Sequence, residues 1–258
     1  MNKDLKNIRV MILAGGLGTR ISEETKTKPK PMVLIDDDPI LWHLISIFHR
    51  QGLRDYILAL GYQSEYVKDW VESNPLIQST TSYNFLIDTD KPRVFCLDTG
   101  LETQTGGRVK RTFEVFPDEK LLVTYGDGLA NISVASLLEF HESHGKLATV
   151  TAVHPPARFG HMAIKNNIVE HFGEKNQSDE GWINGGFFIL EPEVASYIFS
   201  DDEPFEVGAL PRLAEAGELM AYHHDGFWKP MDALRDRDQL SALAKLPNPP
   251  WFDFSCNY

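Results

Sequence analysis

Arg9-Val10-Met11-Ile12-Leu13-Ala14-Gly15-Gly16-Leu17-Gly18-Thr19-Arg20 decides how this chain is read. The first five residues are an apolar run that predicts a buried strand, and the run passes directly into a loop with three glycines. Glycine lets a backbone approach a phosphate closely, and consecutive N–H groups cradle an anion. Arg20 adds fixed positive charge to the loop, and Lys30 adds more from the nearby Lys28-Pro29-Lys30-Pro31-Met32. A phosphate-gripping loop at a sheet edge is the leading hypothesis. A plain strand-to-helix turn is the alternative, and the cations and prolines weigh against it.

Two commoner phosphate loops are excluded. A Walker A loop needs Gly-Lys-Ser/Thr to close it, and no such set follows Gly15. The dinucleotide fingerprint read from Gly16 and Gly18 needs glycine at position 21, which is Ile21.

Composition bounds the rest. With 258 residues, 42% of them hydrophobic, the chain can bury a core large enough for one α/β domain, taken as residues 1–258. A formal net charge of -12 argues against nucleic-acid or anionic-membrane partners, so a nucleotide needs a local cationic site and a divalent metal. No export signal or spanning helix is expected, which reads as a cytoplasmic protein. Cys96 and Cys256 are the two cysteines, without a C-x-x-C, so disulfide and zinc frameworks are not expected.

Strand-like and helix-like periods alternate. Asp38-Pro39 reads as an N-cap and N1 proline, Gly52 as the glycine after the helix end, with Ile40, Leu41, Leu44, Ile45 and Phe48 as one apolar face. Strands are expected at 56–60, 83–87, 94–97, 121–125, 148–153, 182–190 and 219–223. Helices are expected from Ser64 to Trp70, Arg108 to Phe116, from Ser133, near Glu193 and Glu206, and from Ala233. This alternation predicts an α/β fold with a mixed, mainly parallel sheet covered by helices on both faces.

Several groups bear chemistry. Thr124-Tyr125-Gly126-Asp127-Gly128 ends a buried strand, where open α/β sheets place ligands. Asp127 is a candidate metal ligand, with a plain Gly-Asp-Gly turn as the alternative. Trp228-Lys229-Pro230-Met231-Asp232 precedes the last helix. Asp232 is either a second carboxylate on the same metal or that helix's N-cap. Asn184-Gly185-Gly186-Phe187 inside a strand suggests close ligand approach or a bulge. Arg158-Phe159-Gly160 and Glu174-Lys175 are candidates for a sugar phosphate, with a solvated loop as the alternative for each. His223-His224-Asp225 makes a poor chelate, because adjacent strand residues face opposite ways.

Taken together, these blocks resemble the sugar-1-phosphate nucleotidylyltransferases. The resemblance rests on Leu13 to Arg20, Ser22-Glu23-Glu24-Thr25 and Lys28-Pro29-Lys30-Pro31-Met32. Asp98-Thr99-Gly100 with Thr105-Gly106-Gly107-Arg108, Tyr125-Gly126-Asp127-Gly128, and Phe227-Trp228 with Pro230-Met231-Asp232 and Leu234-Arg235-Asp236 are similar to its cytidylyl-transferring branch. The resemblance implies a Rossmann-like fold, Mg2+, and the reaction of CTP with α-D-glucose 1-phosphate to give CDP-glucose and pyrophosphate. It implies that Leu13, Ala14, Gly15, Gly16, Leu17, Gly18, Thr19 and Arg20 hold the nucleotide, with Lys30, Thr103, Arg108 and Gly126. Arg20, Lys30 and Asp127 are the implied catalytic residues, Asp127 and Asp232 the metal ligands, and Lys175, Asn184 and Gly185 the sugar-phosphate contacts.

This chain has Glu174-Lys175-Asn176 where the family reads Glu-Lys-Pro, which leaves transfer to another small phosphorylated substrate open. The span from Trp70 to Asp98 is shorter than in the family, and a homo-oligomer is left open. A regulatory module without turnover is the rival from another class, opposed by the joint presence of Arg20, Lys30, Asp127 and Asp232. A nucleotide-sugar-consuming glycosyltransferase would carry Asp-x-Asp, where this chain has Asp127-Gly128-Leu129.

Overall fold

The computed structural model describes residues 5, 8–16, 18, 22–25, 27–80, 90–155, 160–165, 168–174 and 181–254. In chain order the strands are β1 (Arg9–Leu13), β2 (Leu34–Ile35), β3 (Asp38–Pro39), β4 (Asp55–Leu60), β5 (Gln78–Thr80), β6 (Arg93–Asp98) and β7 (Leu121–Tyr125). There follow β8 (Gly128–Ala130), β9 (Ala148–Val153), β10 (Gly160–Lys165), β11 (Ile168–Glu174), β12 (Ile183–Leu190), β13 (Leu219–His224) and β14 (Trp228–Pro230). The helices are α1 (Ser22–Thr25), α2 (Ile40–Arg50), α3 (Ser64–Ser73), α4 (Thr105–Val115), α5 (Val134–His144), α6 (Ala209–Glu215) and α7 (Leu234–Ala244).

Eight strands form one sheet in the order β13-β9-β12-β7-β1-β4-β6-β5. Only β12 runs against its neighbours, so the expected mixed, mainly parallel sheet is what the chain builds. Side chains on a strand alternate between faces, and that period divides the core in two. Val10 and Ile12 of β1, with Tyr56, Leu58 and Leu60 of β4, pack on the face covered by α2, α3, α5 and α7. Met11 and Leu13, with Ile57 and Ala59, pack on the opposite face under α4 and α6.

Strand order places the ligand-binding edge. From β1 the chain builds outward through β4 and β6, then returns to the other side of β1 with β7. Such a reversal opens a crevice at the carboxyl ends of the two central strands. Leu13 and Tyr125 are the last paired residues of β1 and β7, and Gly126 N–H donates to the Leu13 carbonyl at 3.1 Å. The glycine loop and Asp127 therefore leave the sheet side by side.

Local signals set most boundaries. Ser133 caps α5 by accepting from Ser136 N–H at 3.2 Å. Gly52 follows α2 at φ 100°, a left-handed conformation suited to glycine. Three expectations shift. Pro39 is itself the N-cap of α2 while Asp38 pairs in the β2–β3 hairpin, and Gln63 rather than Ser64 precedes α3. The segment near Glu193 is a 3-10 helix, Pro192–Tyr197. The expected strand at 83–87 lies outside the described residues. The antiparallel pairs β10–β11 and β8–β14 carry no strong alternation of their own and were not foreseen.

Candidate active site

The glycine loop is held from beneath. Ala14 N–H donates to Ala59 O at 3.0 Å, and Tyr62 N–H donates to Gly15 O at 3.1 Å. Gly15 is required here, because a Cβ would lie 2.3 Å from Arg108 Nη1. Thr25 closes the loop from α1, its hydroxyl donating to Gly18 O at 2.9 Å.

Arg108 is buried at 3% exposure. Its guanidinium donates to Leu60 O, Gly100 O and Gly15 O at 2.9, 2.9 and 3.0 Å, and to Thr99 Oγ1 at 2.6 Å. Its five N–H donors in a rigid fork thus tie the ends of β4 and β6 to the glycine loop. Burial pulls its pKa below the ordinary arginine value. Arg108 also borders the cavity above the loop, so it meets that cavity while anchoring the main chain.

Lys30 sits in a 3-10 turn between Pro29 and Pro31 and is only 8% exposed. Its ammonium lies 2.6 Å from Asp127 Oδ2 and 3.4 Å from Asp232 Oδ1. These partners stand 97 and 202 positions away in the sequence. A β-ribbon makes the meeting possible: β8 follows Asp127, β14 precedes Asp232, Gly128 pairs with Pro230, and Met231 N–H donates to Asp127 O at 2.7 Å. Gly126 keeps the turn tight, since a Cβ there would lie 2.9 Å from Leu13 O.

Asp232 is not the cap of α7, which corrects the simpler of its two readings. The Asp236 carboxylate accepts from Asp232 N–H at 3.1 Å and from Ala233 N–H at 3.0 Å, and Ala233 occupies the cap position. The Asp232 side chain is thereby turned toward Lys30. Among the described residues no three His, Cys, Asp or Glu side chains gather as a metal cluster. The donor set is a pair of carboxylates around one cation's place. That suits a hard divalent ion whose remaining ligands come from phosphate and water.

Two cavities meet at this pair. One, of about 360 Å³, lies over the glycine loop and is lined by Lys30, Gly126, Thr103 and Arg108 among others. The other, of about 500 Å³, is bordered by Asn184, Gly185, Trp228, Glu206 and Asp232. Tyr125 and Asp127 border both. Trp228 Nε1 donates to Gly185 O at 2.7 Å, fixing the wall of the second cavity. The Asn184 side chain accepts from Gly186 N–H at 2.8 Å where the β9–β12 register shifts.

The structure thus brings together Leu13, Ala14, Gly15, Gly16, Gly18, Lys30, Thr103, Arg108, Gly126 and Asp127 at the first cavity, and Asn184, Gly185 and Asp232 at the second. Leu17, Thr19, Arg20, Arg158 and Lys175 lie outside the described residues. His223 and His224 face apart as expected: His224 is buried near Phe227 O, and His223 stacks on Trp182. Sequence reasoning missed Glu206, which accepts from Thr105 Oγ1 at 2.9 Å and from the Tyr125 hydroxyl. It stands in a loop without a motif. Asp236 lay within the block Leu234-Arg235-Asp236; because Ala233 has no side-chain acceptor, the Asp236 carboxylate makes only half of a capping box, which leaves no Ser/Thr-x-x-Glu signature in the sequence.

This fold and site define a nucleotidyl transferase, and the chain belongs to that family, whose model matches residues 9–236. More particularly, the chain is 43% identical over 253 residues to a glucose-1-phosphate cytidylyltransferase of Salmonella typhimurium, covering 95% of this chain and 98% of that one. It is 39% identical over 244 residues to a probable glucose-1-phosphate cytidylyltransferase of Bacillus subtilis, covering 92% and 96%. Among solved structures, HddC from Yersinia pseudotuberculosis complexed with GMP-PN superposes with a TM-score of 0.70 at 26% identity, covering 92% of this chain and 99% of that one. A UDP-glucose pyrophosphorylase complexed with UDP-glucose gives a TM-score of 0.66 at 17% identity, with 92% and 97% covered, and so supports the fold alone. No helix among the described residues is long and apolar enough to cross a membrane.

Proposed function

We propose that this protein transfers the cytidylyl group of CTP to α-D-glucose 1-phosphate, forming CDP-glucose and releasing pyrophosphate. The observation that carries the reading is the Lys30 ammonium held between Asp127 and Asp232 where two cavities meet. The overall identity to curated cytidylyltransferases supports the choice of substrates.

In this reading the nucleotide lies over the glycine loop and the sugar phosphate enters the second cavity. A phosphate oxygen of the sugar phosphate attacks the α-phosphorus in line, and pyrophosphate departs on the far side. Two polyanions must approach, so catalysis is chiefly positioning and charge neutralisation. Lys30 neutralises charge growing on the α-phosphate. The loop N–H groups, with Arg20, take up the leaving pyrophosphate, and Arg108 keeps those N–H groups aimed by holding Gly15. Main-chain groups around Thr103 to Arg108 read the cytosine. Asn184 and Gly185, with Lys175, contact the sugar phosphate. Asp127 and Asp232 fit Mg2+, which when bound neutralises phosphate oxygens as a Lewis acid.

Pyrophosphate release measured over CTP, UTP, dTTP and GTP tests the base. CTP should be preferred with glucose 1-phosphate as acceptor. Equal or better turnover with dTTP contradicts the assignment.

A further inference from the structure

The second cavity has a one-sided electrostatic lining. Its charged groups among the described residues are Asp127, Asp232 and Glu206, and it has no lysine or arginine there. Asp127 and Asp232 share Lys30. Glu206 has neutral partners: it accepts from the Tyr125 hydroxyl and from Thr105 Oγ1 at 2.9 Å.

We propose that Glu206 reads the neutral hydroxyl groups of the sugar phosphate and rejects acceptors that carry a second negative charge. This rests on the reading that the second cavity receives the acceptor. An ionised carboxylate offers about four lone-pair sites. Tyr125 and Thr105 use one each, which leaves acceptor capacity at the cavity wall for sugar hydroxyls. The reacting phosphate has Lys30, and in the proposed function Lys175, to meet it. A carboxylate or second phosphate elsewhere on the sugar would face Glu206, and like charges so placed repel.

The surroundings fix this group. Gly186 has φ +79°, and a Cβ there would lie 2.4 Å from the Tyr125 ring, so glycine lets the ring lie against β12 while its hydroxyl engages Glu206. Thr105 borders the nucleotide cavity, but Glu206 borders the second cavity only. That partition assigns Glu206 to the acceptor and not to the nucleotide ribose.

The test uses the intact wild-type protein with Glu206→Gln and Glu206→Ala. Calorimetric titration with α-D-glucose 1-phosphate and with α-D-glucuronic acid 1-phosphate compares a neutral and an anionic sugar. The wild type should bind the neutral sugar at least about tenfold more tightly, on the scale of one charge-assisted hydrogen bond. Glu206→Gln should narrow that gap to below about threefold, and Glu206→Ala should raise KM for glucose 1-phosphate about tenfold, with KM for CTP within about twofold. Equal wild-type affinity for the two sugars overturns the proposal whether or not the variants fold. A rise in KM for CTP with the acceptor unaffected also overturns it and moves Glu206 to the nucleotide side. If the neutral preference holds while CTP releases no pyrophosphate with any acceptor, the proposed function fails and the hydroxyl-reading role stands.

Discussion

Lys30 Nζ lies 2.6 Å from Asp127 Oδ2, bringing the residue after Pro29 onto the turn that ends β7. The contact joins the two segments that leave the central strands at the reversal of strand order. It also puts a fixed cation where two carboxylates converge, so in the proposed function the ammonium would compete with a divalent ion for these oxygens.

Lys30→Ala is expected to lower kcat by about 10²–10³, the scale for losing one preorganised charge contact to a transition state. Because the ammonium no longer pairs with Asp127 and Asp232, the nucleotide-free variant should bind Mn2+ more tightly than the wild type. Steady-state kinetics and an electron-paramagnetic titration of Mn2+ give the two readouts. Unchanged turnover with a much lower melting temperature makes Lys30 structural instead.

Asp127→Asn and Asp232→Asn should each raise the Mg2+ concentration needed for half-maximal activity. Both carboxylates face one site, so the double variant should fall short of the product of the single effects. Asp232→Asn should leave the melting temperature near wild type, because Asp236, not Asp232, accepts the N–H groups at the start of α7. A lowered melting temperature with an unchanged Mg2+ dependence contradicts this.

Arg108→Lys keeps a positive charge but loses the fork, and Lys can reach few of the acceptors at Gly15, Leu60, Thr99 and Gly100. Each buried acceptor left unpaired costs about 1–3 kcal/mol. Denaturant unfolding should show a loss of that order or more, accompanied by a raised KM for CTP as the glycine loop loosens. Wild-type stability with a raised KM alone would restrict Arg108 to ligand contact.

Stability should fall on mild acidification. Burial lowers the pKa values of His43, His141 and His224 below the ordinary imidazole value of about 6.5. The folded state then binds fewer protons than the unfolded chain in the window between the lowered values and 6.5. The stability from these neutral imidazoles is therefore complete above about pH 6.5 and is lost as pH falls through the lowered values. His141→Gln should flatten that part of a melting-temperature profile against pH, and an unaltered profile would remove His141 from the account.

Much of this architecture is legible in local sequence. The runs Leu121–Tyr125 and Ala148–Val153 coincide with β7 and β9 because both are buried strands with apolar, β-branched residues. Ser133 marks the start of α5 because its hydroxyl accepts from Ser136 N–H, the cap's local use. The site was legible where glycines and cations cluster. It was illegible where long-range pairing decides: the β8–β14 ribbon brings Asp232 to Asp127. Glu206 belongs to the same class, since its partners Thr105 and Tyr125 stand 101 and 81 positions away.

The central claim is tested most directly by 31P nuclear magnetic resonance of one mixture of the protein, CTP, α-D-glucose 1-phosphate and Mg2+. The account predicts that both substrates decline in equal amounts while CDP-glucose and pyrophosphate rise with them. CDP and inorganic phosphate as products, or a spectrum that does not change, would contradict it.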